Sequence, residues 1–430
     1  MNQIEKLLQT LAPKGVEFRK LGDIGEYIRG VTYKKNQEIN NLECGIKVLR
    51  ANNITLSNHL NFEDIKVINK NVKIKKEQYL KKNDILICAG SGSSEHIGKV
   101  AFINTDFDYV FGGFMGVIRI REVNSRFVYH IFTSNIFKQY LEKSLNTTTI
   151  NNLNANILQN FLIPIPPLEI QQEIVKILDA FTELNTELNT ELNARKKQYQ
   201  YYQNMLLDFN DINQNHKDAK ERLAQKPYPK RLKTLLQTLA PKGVEFRKLG
   251  EVCEILDNRR IPIAKNKRNP GIYPYYGANG IQDYIDSYIF DGDFVLVGED
   301  GSVINKDNTP VVNWASGKIW VNNHAHVLQT KNELKLKFLY FYLQTIDVSY
   351  CVAGTPPKIN QENLKKITIP IPPLEIQQEI VKILDQFSLL TTDLLAGIPA
   401  EIKARKKQYE YYREKLLTFK PLIPHKEVKK

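Results

Sequence analysis

Three residue sets in this chain have residue types that approach a chemical site. Gly90-Ser-Gly-Ser-Ser-Glu-His-Ile-Gly-Lys-Val approaches a phosphate loop. Such a loop needs Gly, four residues, then Gly-Lys-Ser/Thr. Here Ser93 stands where the first glycine belongs, and Val100 follows Lys99. The functional reading left is a tight turn whose amides, with Ser91 and Ser93, face a DNA phosphate; an ordinary hairpin loop is the alternative. His324 and His326 flank Ala325 and would share one face of a strand, but no Cys or carboxylate spacing completes a metal set. Glu299 and Asp300 with Lys306 loosely resemble a nuclease carboxylate–lysine set, a combination common by chance. The chain has no Asn-Pro-Pro-Tyr methyltransferase signature and no cofactor glycine loop.

Basic segments are stronger candidates. Residues 258–269 contain Arg259, Arg260, Lys265, Lys267 and Arg268 in a proline-bearing, loop-like stretch. Arginine reads guanine bidentately and lysine contacts phosphate. The aromatic, amide-bearing run Tyr273-Pro-Tyr-Tyr-Gly-Ala-Asn279-Gly follows at once. Residues 66–82 form a lysine-rich stretch that includes Lys73, Lys75 and Lys76. DNA contact is the reading for both; a solvated face is the alternative. Arg195–Lys197 and Arg405–Lys407 lie on helices and suit phosphate, a partner or plain solvation.

The whole chain agrees. It has 60 basic and 47 acidic residues, a net charge of +13 over 430 residues. That favours a polyanionic partner, nucleic acid first. The four cysteines are far apart and form no Cys-x-x-Cys pair, which fits a reducing cytoplasm. The N-terminal residues read as no signal peptide, and no apolar run of membrane-spanning length occurs, so no membrane is expected.

The elements that must hold these segments come in duplicate. Residues 163–179 (Ile-Pro-Ile-Pro-Pro-Leu-Glu-Ile-Gln-Gln-Glu-Ile-Val-Lys-Ile-Leu-Asp) recur without mismatch at 369–385. Residues 7–22 (Leu-Leu-Gln-Thr-Leu-Ala-Pro-Lys-Gly-Val-Glu-Phe-Arg-Lys-Leu-Gly) recur at 235–250. The inserts between the cassettes differ in sequence. The predicted segments are a repeated N-terminal segment 1–22, insert 23–162, helix 163–209, linker 210–234, the repeated segment 235–250, insert 251–368, helix 369–420 and a frayed tail 421–430. The Pro block is predicted extended, with a helix starting behind it.

Ile170, Ile174, Ile177, Phe181, Leu184 and Leu188 are spaced as a heptad seam. Ile376, Ile380, Ile383, Phe387, Leu390 and Leu394 repeat it. Two long helices packing on each other antiparallel are expected; a helix docked on its own domain is the alternative. Thr-Glu-Leu-Asn occurs three times at 182–193, a tandem tetrad that reads as a length adjuster. The second helix is four residues longer at this place and holds Gly397 and Pro399, so a break is predicted there.

Strands are expected at 47–54, 84–89, 100–103 and 116–120, with a helix at 125–143. In the second insert strands are expected at 294–298, 311–314 and 326–329, with a helix at 332–346. Both inserts should end in a short helix, at 154–161 and 360–366. The fold class is thus α+β: two strand-rich mixed domains of one fold on two long antiparallel helices that form an intramolecular coiled coil with a pseudo-two-fold.

The duplicated blocks, together with Asp293-Phe-Val-Leu-Val-Gly-Glu-Asp-Gly301, Val321-Asn-Asn-His-Ala-His-Val-Leu328, and the looser Asp84-Ile-Leu-Ile-Cys-Ala-Gly-Ser-Gly92 with Gly98-Lys-Val, resemble the specificity subunit of type I restriction-modification systems. The resemblance covers nearly the whole chain. It implies a non-catalytic subunit whose inserts are target recognition domains, each reading half of a split, asymmetric site in double-stranded DNA. It implies that the paired helices set the spacer and dock two methyltransferase subunits, with restriction subunits added for cleavage. It implies no cofactor in this chain: S-adenosylmethionine, and ATP with Mg for restriction, would belong to the partners. The unequal helices depart from a perfectly symmetric ruler.

Overall fold

The computed structural model describes residues 2–39, 44–91, 96–145, 153–213, 218–301, 303–392 and 397–422. The chain divides into two compact units, one of residues 1–188 and 402–430, the other of residues 189–401. Each unit holds one insert, the two cassettes flanking it, and helix from both halves of the repeat.

The cassettes close each insert in the same way. Strand Glu17–Lys20 pairs antiparallel with Leu162–Ile165, Glu17 opposite Ile165 and Phe18 opposite Pro164. Strand Glu245–Lys248 pairs with Thr368–Ile371 in the same register, Glu245 opposite Ile371 and Phe246 opposite Pro370. Proline offers no N–H to a second neighbour, so the ribbon stays two-stranded. Pro166-Pro167 and Pro372-Pro373 then end the extended run, and the helices Leu168–Leu207 and Leu374–Thr392 start directly behind them.

The inserts share a core and differ outside it. In the first, strands Gly25–Arg29, Met115–Ile120 and Ile85–Cys88 lie side by side, with Val100–Phe102 at the edge. A second four-stranded sheet joins Glu38–Ile39, Lys66–Ile68, Ile46–Leu49 and Tyr109–Phe111. In the second insert Cys253–Ile255, Ala325–Thr330 and Phe290–Gly298 take the same three places. Val312–Val321, Pro270–Gly277 and Gly280–Ile285 extend them into one six-stranded sheet. In both inserts a helix follows the middle strand, Ser125–Phe132 or Leu336–Leu343, and a short helix ends the insert, Ala155–Gln159 or Gln361–Lys366.

Three expectations change. The helix expected at 125–143 is two helices, Ser125–Phe132 and Asn135–Leu145. Thr133 and Ser134 divide them, their hydroxyls donating back to the His130 and Ile131 carbonyls. The loop-like stretch 258–269 gives way at once to strand Pro270–Gly277, where no strand was expected, with Pro270 at its first position and a bulge before Tyr273. The linker at 210–234 is folded: helices Ala219–Gln225 and Lys230–Leu239 occupy it. Ile212, Leu223, Tyr228 and Leu232 are buried in the core of the second unit.

The helical seam has two parts. Ile170 and Ile174 are fully buried with Ile24, Ile131 and Phe161, so the first turns dock on their own domain. Ile376 and Ile380 do the same in the second unit. Leu178 and Leu384 continue these buried stripes at the next i+4 step, and Ile177 and Ile383 sit beside them, partly covered.

Helix-on-helix contact begins further on. Phe181 stacks on Tyr412 at 5.6 Å between centroids, and its counterpart Phe387 stacks on Tyr202 at 5.1 Å, both at 26° between planes. Within each unit the helix Leu168–Leu207 thus meets one helix of the second half, Ile398–Leu417 in the first unit and Leu374–Thr392 in the second. Leu184 and Leu188 are half-buried. The Leu390 side chain and Leu394 lie outside the described residues. In the second half the helix Leu374–Thr392 is described to Thr392, the predicted break falls partly outside the described residues, and a bend at Gly397 precedes the helix Ile398–Leu417, with Pro399 in its first turn where proline is tolerated.

Candidate nucleic-acid interface

Each insert is fastened to its frame by side chains of the repeated helix. Gln171 is buried; its Oε1 accepts from the Asn124 N–H at 2.9 Å and its Nε2 donates to the Pro166 carbonyl at 2.7 Å. Gln377 repeats this, accepting from the Lys335 N–H at 2.7 Å and donating to the Pro372 and Glu333 carbonyls. Asn124 and Lys335 are the N-caps of the equivalent insert helices. Asp179 accepts from Arg126 Nε at 2.8 Å and lies 2.9 Å from Nε2 of the buried His130. Burial pushes the His130 pKa down against the pull of Asp179. Burial alone would raise the Asp179 carboxyl, but His130 and Arg126 outweigh it and hold it low. The repeated position in the other helix, Asp385, faces Lys337 at 3.6 Å.

On the second insert the structure separates the predicted cations. Arg259 lies on the surface, its guanidinium 4.8 Å from the Phe290 centroid. Lys265 and Lys267 sit on an exposed 3-10 turn, and Asn279 is exposed at the turn joining strands Pro270–Gly277 and Gly280–Ile285. Arg260 and Arg268 are turned inward instead. Arg260 pairs with Glu299 at 2.6 Å and Asp257 at 3.4 Å and donates to the Ala325 carbonyl at 2.8 Å, with its side chain 11% exposed. Arg268 lies 4.0 Å from the Tyr275 centroid and donates to the Ile263 carbonyl. Both hold loops: the Arg260 guanidinium is taken up by two carboxylates and has few donors left for a base, and that of Arg268 is stacked on Tyr275 and tied to the Ile263 carbonyl.

His326 is buried, with Nδ1 2.6 Å from Asp257 and Nε2 2.8 Å from the Ile359 carbonyl. Asp257, Glu299 and His326 lie close enough together to hold a metal ion. Arg260 and Lys358 already neutralise these carboxylates, so the set is an ion-pair network. Burial would raise Asp257, but the His326 hydrogen bond and the Arg260 charge hold it below the usual carboxylate range. His324 faces Asp300 on the surface, not on the face of His326. Among the described residues Lys306 is exposed and pairs with neither Glu299 nor Asp300.

On the first insert Lys73, Lys75 and Lys76 are exposed around the 3-10 turn Lys76–Gln78. Ser93 lies outside the described residues. Ser91 lines a cleft of about 910 Å³ with Arg29, Arg50, Asn52 and Phe114. Its walls carry four cationic side chains, the two arginines with Lys35 and Lys66, against one acid, Glu38. Asn53 is buried beneath the rim and donates to the Asn61 and Asp64 carbonyls, which fixes the turn bearing Arg50 and Asn52. Lys99 is not a phosphate ligand: it is 8% exposed and donates to the Ala51 and Ile54 carbonyls under the same turn. A Cβ at Gly30 would come within 2.0 Å of the Gly112 carbonyl, so only glycine admits this close crossing. Sequence reading missed Arg29, Arg50, Asn52 and Phe114 because they are scattered; the Gly112-Gly113-Phe114 turn between apolar strands was the available signal.

The fold is therefore a duplicated frame that carries two different cation-bearing heads, the build of a modular recognition scaffold. The chain belongs to the family described as "Type I restriction modification DNA specificity domain", which matches residues 13–198 and 241–404. That family consists of specificity subunits, which are non-catalytic.

A putative type I restriction enzyme specificity subunit of Haemophilus influenzae (S.HindORF215P) is 45% identical over 179 residues, covering 40% of this chain and 46% of that relative. The match thus spans less than half of that relative. A putative type I specificity subunit of Mycoplasma pneumoniae (S.MpnORF201P) is 34% identical over 264 residues, covering 60% of this chain and 95% of its own. A crystal structure of a type I restriction-modification S subunit from M. genitalium superposes with a TM-score of 0.54 at 15% identity, covering 94% of this chain and 96% of that one. Among the described residues no helix is long and apolar enough to cross a membrane.

Proposed function

We propose that this chain reads a split, asymmetric site in double-stranded DNA, one insert to each half-site, and leaves the chemistry to partner subunits. The observation that carries the reading is the identical closure of two unlike inserts: same ribbon register, same Gln anchor, same three-strand core, different surface. Duplication of the frame with divergence of the head is what independent half-site recognition requires. Arg259, Lys265, Lys267 and Asn279 are the candidate DNA contacts of the second head. Lys73, Lys75, Lys76, Ser91 and the cationic cleft are those of the first. Footprinting of the chain assembled with its partners tests this. Two protected patches a fixed distance apart are expected, and uniform or absent protection refutes it.

The partners fit the same logic. The described seam residues from Ile170 to Phe181 and from Ile376 to Phe387 are covered within the chain, so docking falls to apolar residues exposed at matching positions of both copies. Leu11 and Leu239 are 42% and 41% exposed, and Tyr201 and Tyr411 59% and 60%. Two identical exposed sets suit two like subunits, read here as methyltransferases that use S-adenosylmethionine, with restriction subunits using ATP and Mg.

The tandem tetrads at 182–193 enclose the division between the units, and the bend at Gly397 lies near the other crossing. Helix length at these places would set the unread spacer.

A further inference from the structure

We propose that Phe114 and His324 are one and the same reading position in the two heads, each touching a base edge in the major groove of its own half-site. The inference rests on the DNA-reading function above and names residues within it. The equivalence comes from backbone topology. In the first head the turn Gly112–Phe114 leads into strand Met115–Ile120, where Cys88 pairs with Met115. The Phe114 carbonyl accepts from the Ala89 and Gly90 N–H groups at 2.9 and 3.0 Å. In the second head the turn 322–324 leads into Ala325–Thr330, where Gly298 pairs with Ala325. The His324 carbonyl accepts from the Glu299 N–H at 2.8 Å. The far side matches too: the Val31 N–H donates to the Phe111 carbonyl and the Ile261 N–H to the Val321 carbonyl. Met115 and Ala325, next in sequence, are both 1% exposed and anchor their turns.

At this shared place each head projects a ring outward. Phe114 is 73% exposed on the cationic cleft, and the His324 side chain is 47% exposed. The frame and core strands are alike, and at this shared tip the two heads differ in side-chain chemistry. Phenylalanine offers only apolar surface, which suits a thymine methyl. His324 Nδ1 faces the Asp300 carboxylate, which can only accept; in the neutral tautomer this pairing favours, Nε2 is left to accept from an exocyclic amino group of adenine or cytosine.

The test is competition binding by the chain assembled with its methyltransferase subunits, against duplexes changed one base pair at a time. Phe114→Ala should lose about tenfold discrimination at one position of one half-site. His324→Ala should lose it at one position of the other. Phe114→His should restore discrimination in the first half-site for a different base. Both native side chains are exposed, and an unchanged melting temperature confirms that each variant folds. Discrimination that survives both alanine changes, uniform weakening on every duplex, or loss in the same half-site overturns the inference. A wild-type complex that discriminates at no position overturns the DNA-reading function itself.

Discussion

Replacing Gln377 with alanine should destabilise the second unit far more than the same change one residue later. Gln377 is fully buried and makes three hydrogen bonds, to the Lys335 N–H and to the Glu333 and Pro372 carbonyls. Alanine strands one buried partner, the Pro372 carbonyl, and two part-buried ones, the Lys335 N–H and the Glu333 carbonyl. A buried polar group left without a partner costs about 1–3 kcal/mol, and neighbouring losses do not add in full. We therefore expect about 3 kcal/mol. For a unit of about 200 residues that lowers the melting temperature by about 6–12 °C.

Gln378 is exposed, and its alanine variant should stay within about 0.5 kcal/mol of wild type. Gln377→Met keeps the volume but not the hydrogen bonds, so it should recover only the packing share of the loss. The copy in the first unit makes two such bonds, so Gln171→Ala should cost about 2 kcal/mol. Thermal unfolding of the four variants by calorimetry is the assay. If Gln377→Ala and Gln378→Ala melt together, or Gln377→Met equals wild type, the anchoring role of this glutamine is refuted.

Arg260→Ala should cost about 2 kcal/mol of stability by taking the guanidinium from Glu299 and Asp257, which keep Lys358 and His326, whereas Arg259→Ala should leave melting unchanged and weaken DNA binding; equal melting losses would refute this division. Deleting residues 190–193 removes about 6 Å of helix at 1.5 Å per residue and should shorten the tolerated spacer by about one to two base pairs, read from the methylated sites; an unchanged spacer refutes the length-setting role. His130 is held neutral by burial, so below about pH 6.5 the unfolded chain takes up a proton that the folded one does not. Stability of the first unit should therefore be complete above that pH and fall as pH drops through the window down to the lowered folded value. Asp179, held low, adds a loss only at more acid pH. His130→Gln should flatten the first slope, and an unchanged slope refutes the assignment.

The repeat and the heptad spacing were legible because they are local. Identical cassettes announce identical frames, and Pro-Pro followed by a heptad announces a strand that turns into a helix. The direction a seam faces is not local. Ile170 and Ile174 fit a coiled-coil seam by spacing, yet an apolar domain surface satisfies the same spacing, and here it covers them. Charge runs misled for a related reason. Arg259 and Arg260 are neighbours in sequence, but in an irregular turn the two side chains point apart, one toward solvent and one toward Glu299. Composition counts both as surface cations. Only the buried carboxylates, which are 39 residues away in the case of Glu299, reveal that one is structural.

The same contrast explains why the cleft was invisible. Arg29, Arg50, Ser91 and Phe114 come from four separate segments, brought together by two sheets and by the glycine crossing at Gly30 and Gly112. A surface assembled from loop tips leaves no periodic trace, because each tip contributes one or two residues. It also leaves the tips free to change while the strands beneath them do not. Met115 and Ala325 must stay apolar to fill the core, but the residue just before each answers to no packing demand. A head built this way can change which base it reads by single substitutions at the turn without altering the frame that its partners would grip.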